Sequence, residues 1–129
     1  MPNVMIEVRR QYSPTEEDGI IAGVHAALME VLKTPEWDKT IRLVTYEPHR
    51  FAVPPGRGDR YTLIEIDLFS GRSIEARRTL YQALVRNLGT LGIPSDHIKV
   101  LLRKSGAENW GIRGGVPASE VDLGFKVDV

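Results

Sequence analysis

A chain of 129 residues with 17 basic and 17 acidic side chains, 42% hydrophobic residues and no cysteine is sized for one folded domain with a real core. Its formal net charge of zero argues against the basic excess on which non-specific nucleic-acid or membrane-surface binding depends, and the lack of cysteine removes disulfides and thiolate chemistry. No apolar run approaches the length of a membrane span, and residues 1–15 hold Glu7, Arg9 and Arg10 where a signal peptide needs an apolar core, so the expectation is a cytoplasmic protein.

The chain opens on Met1-Pro2 and runs straight into an alternating segment, residues 3–8, with Val4, Ile6 and Val8 on one face and Asn3, Met5 and Glu7 on the other. That pattern predicts a half-buried strand. Methionine is usually trimmed before a small residue, which would leave Pro2 as a free secondary amine at the strand's end. A free α-amino group titrates at about 7.7–8.0, close enough to neutrality for neighbouring cations to tune it into a general base. Ser13-Pro14-Thr15-Glu16 then supplies an N-cap, a proline at the first helical position and a capping-box glutamate. Ile20, Ile21, Val24, Leu28, Val31 and Leu32 continue at helical spacing, predicting an amphipathic helix over about 14–33 that Thr34-Pro35 stops. A second strand is predicted at about 40–46, followed by a Pro-, Gly- and Arg-rich surface loop from Glu47 to Arg60. The Arg57-Gly58-Asp59 tripeptide in that loop is an accidental match to adhesion ligands.

The pattern then begins again. Tyr61 to Leu68 alternates as a strand, Gly71-Arg72-Ser73 turns into a helix with Leu80, Tyr81, Leu84, Val85 and Leu88 on its buried stripe, Gly89 to Pro94 breaks it, and Ile98 to Leu102 forms another strand. This is an internal duplication of a β-α-β unit with a repeat length of about 60 residues, halves at about 1–58 and 59–129. Helical crossovers make the strands of each unit parallel. The expected fold is α+β: one four-stranded sheet with both helices on one face, its other face left for a partner subunit. The tail from Glu120 to Val129 alternates again through Val121, Leu123, Phe125, Val127 and Val129, and is expected to add an edge strand to a neighbour.

Gly71-Arg72-Ser73-Ile74-Glu75-Ala76-Arg77, then Ile98-Lys99-Val100, then Asn109-Trp110-Gly111-Ile112-Arg113-Gly114-Gly115 resemble, in order and spacing, a 4-oxalocrotonate tautomerase subunit. The first half is a more worn copy that keeps the amino-terminal proline. The whole chain thus resembles a fused, double-length member of the tautomerase superfamily. The resemblance implies a duplicated β-α-β fold assembled as a homotrimer, with no cofactor. It implies a site built around Pro2, with arginines that bind the carboxylate of a 2-oxo acid or related small carboxylated carbonyl compound. Arg72 matches the arginine of the Gly-Arg-Ser turn, and the equivalent position in the first half is Tyr12. Arg42 falls where the family often places another substrate-binding arginine, and Trp110 where an aromatic lines the pocket. Some relatives carry a catalytic histidine in the first helix, where this chain has His25.

Asp38, three residues beyond the helix-stopping Pro35, sits at the spacing of the catalytic aspartate of malonate semialdehyde decarboxylase. That enzyme has two arginines flanking a proline before its second helix. Here the segment reads Ser70-Gly71-Arg72, which keeps one arginine and weakens the case for that particular substrate. The residues also have plainer readings. Aspartate is a common turn residue, an arginine on a strand's outer face needs no special reason, and a histidine beside an apolar stripe is commonly part of the core. His25, His49 and His97 lack metal-ligand spacing, so no metal is expected.

The leading expectation is therefore a cofactor-independent tautomerase or isomerase using Pro2, Asp38 and Arg72. The nearest alternative is a decarboxylase or hydratase using Pro2 and Asp38. Beyond these stand a dehalogenase-like hydrolase, disfavoured by the single arginine, and a non-catalytic trimeric binding protein with a vestigial proline.

Overall fold

The computed structural model describes residues 2–125. Its elements are β1 (Asn3–Val8), α1 (Pro14–Leu32), β2 (Thr40–Thr45), β3 (Thr62–Phe69), α2 (Ile74–Gly89), β4 (Ile98–Ser105) and two short strands, β5 (Gly111–Ile112) and β6 (Val116–Pro117). The main sheet has the order β2-β1-β3-β4. β1 and β2 are parallel, as are β3 and β4, while β1 and β3 are antiparallel neighbours at the centre. The duplicated β-α-β architecture with two helices on one face is therefore the observed one.

The two-residue alternation decides which face each side chain meets. Val4, Ile6 and Val8 of β1 and Ile64, Ile66 and Leu68 of β3 are buried under the helices, in one cluster with Ile20, Val24, Leu28 and Leu32 of α1 and Leu80, Leu84 and Leu88 of α2. The edge strands contribute Ile41, Leu43, Val100 and Leu102, which pack against that cluster while staying partly exposed. The helices are also fastened to each other. Asn87 Nδ2 donates to the Gly23 carbonyl at 3.0 Å, and Arg86 Nη2 reaches Glu30 Oε1 at 2.6 Å.

Both helices begin as their sequences predict. Ser13 Oγ accepts from the Glu16 amide at 3.2 Å, while the Ser13 amide donates to Glu16 Oε1 at 2.9 Å, which completes the capping box. These bonds hold the Glu16 carboxyl below its ordinary value, the backbone bond from Ser13 being the main cause. In α2 Ser73 Oγ caps the Ala76 amide at 3.0 Å, and alanine at that third position leaves the box half-made. α1 ends at Leu32, one residue before the predicted limit, because Lys33 adopts a left-handed conformation (φ 59°) ahead of Thr34-Pro35.

Among the described residues, no further layer covers the opposite face of the sheet. Side chains from all four strands link across it: Arg42 Nη1 donates to Asn3 Oδ1 (2.5 Å), Asn3 Nδ2 to Asp67 Oδ2 (3.1 Å), and Arg103 Nε to Asp67 Oδ1 (2.9 Å). Val44 and Leu101 are exposed among them.

Three differences from the sequence reading have physical causes. β4 runs to Ser105 and not Leu102, because its parallel pairing with β3 continues to Phe69. A short β5–β6 hairpin that no strand pattern announced follows β4, and Arg113, Gly114 and Gly115 form its turn with positive φ at all three residues. The expected tail strand is absent from residues 121–125, which follow a 3-10 turn at Ala118–Glu120; Val127 and Val129 lie outside the described residues.

Ile66 is wholly buried at the centre of the core, so Ile66→Ala is expected to cost about 2–5 kcal/mol in denaturant unfolding, against about 1 kcal/mol for Ser13→Ala. The Glu16 contribution is present above the carboxylate's unfolded pKa and is lost as pH falls through its lowered folded value. Glu16→Gln should accordingly destabilise the protein at neutral pH and flatten the acid limb of its stability profile.

Candidate active site

Antiparallel pairing of β1 with β3 brings the start of one unit to the end of the other. Asn3 lies opposite Asp67 on β3 and beside Thr40 on β2. Pro2, just before Asn3, is buried; continuing the strand alternation and the register of Asn3 by one residue puts it on the same face as Val4, level with Lys39 and Leu68. At this same end α1 finishes and α2 begins. The turn after α1 carries Asp38, whose amide donates to the Pro35 carbonyl at 3.0 Å; the turn before α2 carries Arg72.

Both charged groups are taken out of water: Asp38 is 6% exposed and Arg72 8%. A buried carboxylate and a buried guanidinium are each costly, and proteins keep them where partners or chemistry require them. Arg72 is steered by Gly71, whose φ of 120° suits glycine, and its Nη1 donates to the Leu32 carbonyl at 3.1 Å. That carbonyl belongs to the last turn of α1, which has no basic residue of its own. Arg72 therefore sits at the favourable C-terminal end of the α1 dipole, which offsets its unfavourable place before α2.

Trp110 also belongs to this end. Its ring meets Phe69 edge-on with centroids 4.9 Å apart, and its indole Nε1 donates to Ser105 Oγ at 2.9 Å. Phe69 and Ser105 are the last residues of β3 and β4, which fixes the indole beside the Arg72 turn. Arg77 and Lys104, not singled out as site residues from the sequence, lie here as well, in a small cleft with Arg72. Lys104 falls on the part of β4 beyond its predicted end.

The remaining candidates lie elsewhere. Arg42 is exposed on the uncovered face, bonded to Asn3, and with His25 it borders an open groove of about 660 Å³ along β2 that Glu36 and Lys39 also line. His25 is 7% exposed, a largely buried residue of the α1 flank. Neither Pro2, Asp38 nor Arg72 lines that groove. Tyr12 is at the opposite end of the sheet, before α1, as its equivalence to Arg72 in the other repeat requires. It is 4% exposed and borders a separate cavity of about 230 Å³ with Glu16, Ile20, Leu91 and Ile93. Burial pushes its phenol above the ordinary tyrosine value, and the Arg60 and Arg10 guanidinium groups pull it partly back. Within one chain, therefore, Pro2, Asp38, Arg72 and Trp110 share an end, and Tyr12 does not join them.

A sequence model of the tautomerase enzyme family matches residues 38–113. The chain belongs to that family. A "probable tautomerase" of Ralstonia nicotianae is 36% identical over 58 residues, covering 44% of this chain and 81% of the relative. The probable tautomerase YusQ of Bacillus subtilis is 24% identical over 121 residues, covering 89% of this chain and 95% of the relative. Among solved structures, native fused 4-OT superposes with a TM-score of 0.83 at 19% identity, covering 95% of this chain and 99% of that one. Malonate semialdehyde decarboxylase superposes with a TM-score of 0.81 at 18% identity, covering 87% and 92%. At such identities the superpositions establish the fold, and family membership establishes an enzyme of the tautomerase superfamily.

Arg60 acts on the charge of Tyr12 without meeting hydrogen-bond geometry with its buried hydroxyl. Tyr12→Phe is thus expected to leave stability at neutral pH unchanged or raised by up to about 1 kcal/mol. Because the phenol's folded pKa is raised, its neutral form is favoured and stability falls as pH rises through the tyrosine range; the substitution should shrink that alkaline loss. Thermal melts across neutral and alkaline pH read both effects.

Proposed function

We propose that this protein is a cofactor-independent tautomerase whose base is the amine of Pro2, freed by removal of Met1, and whose substrate is a small 2-oxo acid or its enol. What supports the reading is that Pro2 and the turns carrying the two buried charged residues, Asp38 and Arg72, all belong to the sheet end where β1 starts. The whole chain acts as one catalytic unit built from its two repeats.

In this reading the Pro2 nitrogen takes a proton from the carbon next to the carbonyl, and the resulting ammonium returns a proton to the enolate oxygen, or the reverse. Charge develops on oxygen during the transfer. Arg72 holds the carboxylate and supplies the positive field that stabilises the enolate. The same field disfavours protonated Pro2, so the amine is free at a lower pH than an isolated α-amino group. Trp110 walls the site beside Arg72. Proline suits the role because it has a fixed φ and a compact secondary amine.

A second reading gives Asp38 a chemical part. A buried carboxylate beside the amine can orient a water for addition to a carbonyl, or assist loss of carbon dioxide from a 3-oxo acid. The fold shared with malonate semialdehyde decarboxylase supports keeping this reading. The uncovered sheet face, with Val44 and Leu101 exposed on it, supports assembly into a homotrimer, the form in which fused 4-OT has been solved. Arg42 would then lie at or near a subunit boundary and serve a neighbouring site.

The test begins with the intact mass of the purified protein, before and after incubation with a 2-oxo acid and borohydride. Loss of Met1 with one adduct on Pro2 is expected. Pro2→Ala should lower kcat by about 10²–10⁴-fold. In the wild type, kcat/KM should fall on acidification through one ionisation lying below that of a free α-amino group. A mature protein that keeps Met1, or a Pro2→Ala variant with undiminished turnover, would overturn the reading. Asp38→Asn separates the two chemistries: it spares proton transfer if tautomerisation is the reaction, and abolishes hydration or decarboxylation if Asp38 takes part.

A further inference from the structure

Between the start of α2 and the end of β4 lies a cleft of about 20 Å³ lined by Leu68, Phe69, Arg72, Arg77, Leu102 and Lys104. Half of those six residues are cationic and none is acidic. Space of that size admits about one water-sized atom, too little for the body of an organic substrate but enough for one oxygen of a carboxylate.

The cations are unevenly compensated. Elsewhere in the protein Arg86 pairs with Glu30, Arg57 with Asp96, Arg10 with Asp59, and Arg103 with Asp67 and Glu65. Among the described residues, neither Arg77 nor Lys104 has a carboxylate within ion-pair distance. Arg77 Nε only grazes the Ser73 carbonyl at 3.4 Å, and Lys104 is exposed. The acid in the first turn of α2, Glu75, borders a different groove with Glu30, Val31 and Lys33. The N-terminus of α2 adds its own positive potential to the cleft.

The cleft also stands at the right level of the sheet. Lys104 pairs with Leu68, and continuing the Asn3–Asp67 register by one residue brings Pro2 level with Leu68, so the three fall in one row across consecutive strands. Two strand spacings, about 9–10 Å, separate the backbones of Pro2 and Lys104. A lysine side chain and a three-carbon acid together span that gap.

We propose that this cleft is the carboxylate subsite of the active site, with Lys104 and Arg77 as substrate-binding residues alongside Arg72. A carboxylate held there presents its neighbouring carbonyl towards Pro2, and the two extra cations make good the single arginine of the Ser70-Gly71-Arg72 turn. The inference rests on the reading of Pro2 as the reacting amine, and what it adds is Lys104 and Arg77 as partners of Arg72 at the carboxylate end of the substrate.

The experiment is calorimetric titration of the purified protein with pyruvate and with pyruvamide, which keeps the carbonyl and lacks the charge. Lys104→Gln and Arg77→Gln should each weaken pyruvate binding about tenfold and leave pyruvamide binding unchanged, while Lys104→Arg retains the affinity. Repeating the titrations in Pro2→Ala should give the same ratios, so they can be read whether or not the proline is the base. Pyruvate affinity unmoved in Lys104→Gln, equal losses for the two ligands, or no pyruvate binding by the wild type would each overturn the subsite. Lys104 is exposed, so Lys104→Gln decides the matter even if Arg77→Gln fails to fold. Should Pro2→Ala alone leave turnover intact, the proline reading fails by itself.

Discussion

The antiparallel pairing of β1 with β3 is the constraint from which the rest of the molecule follows. Each β-α-β unit is internally parallel, so each has one end where its first strand starts and its helix finishes. Joining the units through their first strands, Asn3 against Asp67, turns one unit over relative to the other. The start of the first unit then meets the strand end and helix start of the second. Pro2 and Asp38 come from the first repeat, Arg72 and Trp110 from the second, and neither repeat alone holds the set.

Electrostatics at that junction rest on two helix ends of opposite sign. α1 presents carbonyl groups, and Arg72 uses one of them, on Leu32, to hold its guanidinium below the surface. α2 presents amide groups and positive potential. A cation buried between the two is anchored by the first and sits beside the positive potential of the second. The hydrogen bond to Leu32 also ties the beginning of the second helix to the end of the first. The geometry of the site is thereby linked to the packing of the core and does not hang on a loop.

Much of this was legible in the sequence because its signals were local. The strand alternations, the capping box at Ser13 and Glu16, the breakers at Thr34-Pro35 and the repeat itself all report on neighbours a few residues apart. Asp38, Arg72 and Trp110 were marked only by motif spacing, and their placement at one end depends on which central strands pair and in which direction. Alternation does not encode that choice. Lys104 escaped notice because β4 outruns its apolar pattern, held in register to Ser105 by pairing with β3. The β5–β6 hairpin is two residues per strand, too short for periodicity to reveal, and only the Gly114-Gly115 pair hints at it. His25 and Arg42 show the converse. The resemblance invited a role for them near Pro2, whereas α1 places His25 and β2 places Arg42 beside a groove along the sheet's edge that Pro2 does not line.

The duplication also changes how the protein can evolve. In an assembly of identical short subunits, a substitution that suits one end of the sheet is imposed on the other by the same gene. Covalent joining of the repeats lifts that tie. The position occupied by Arg72 in one half holds Tyr12 in the other, a buried aromatic beside a separate cavity. One end is thus free to drift towards plain packing, or towards a new ligand, without altering the charges at the other.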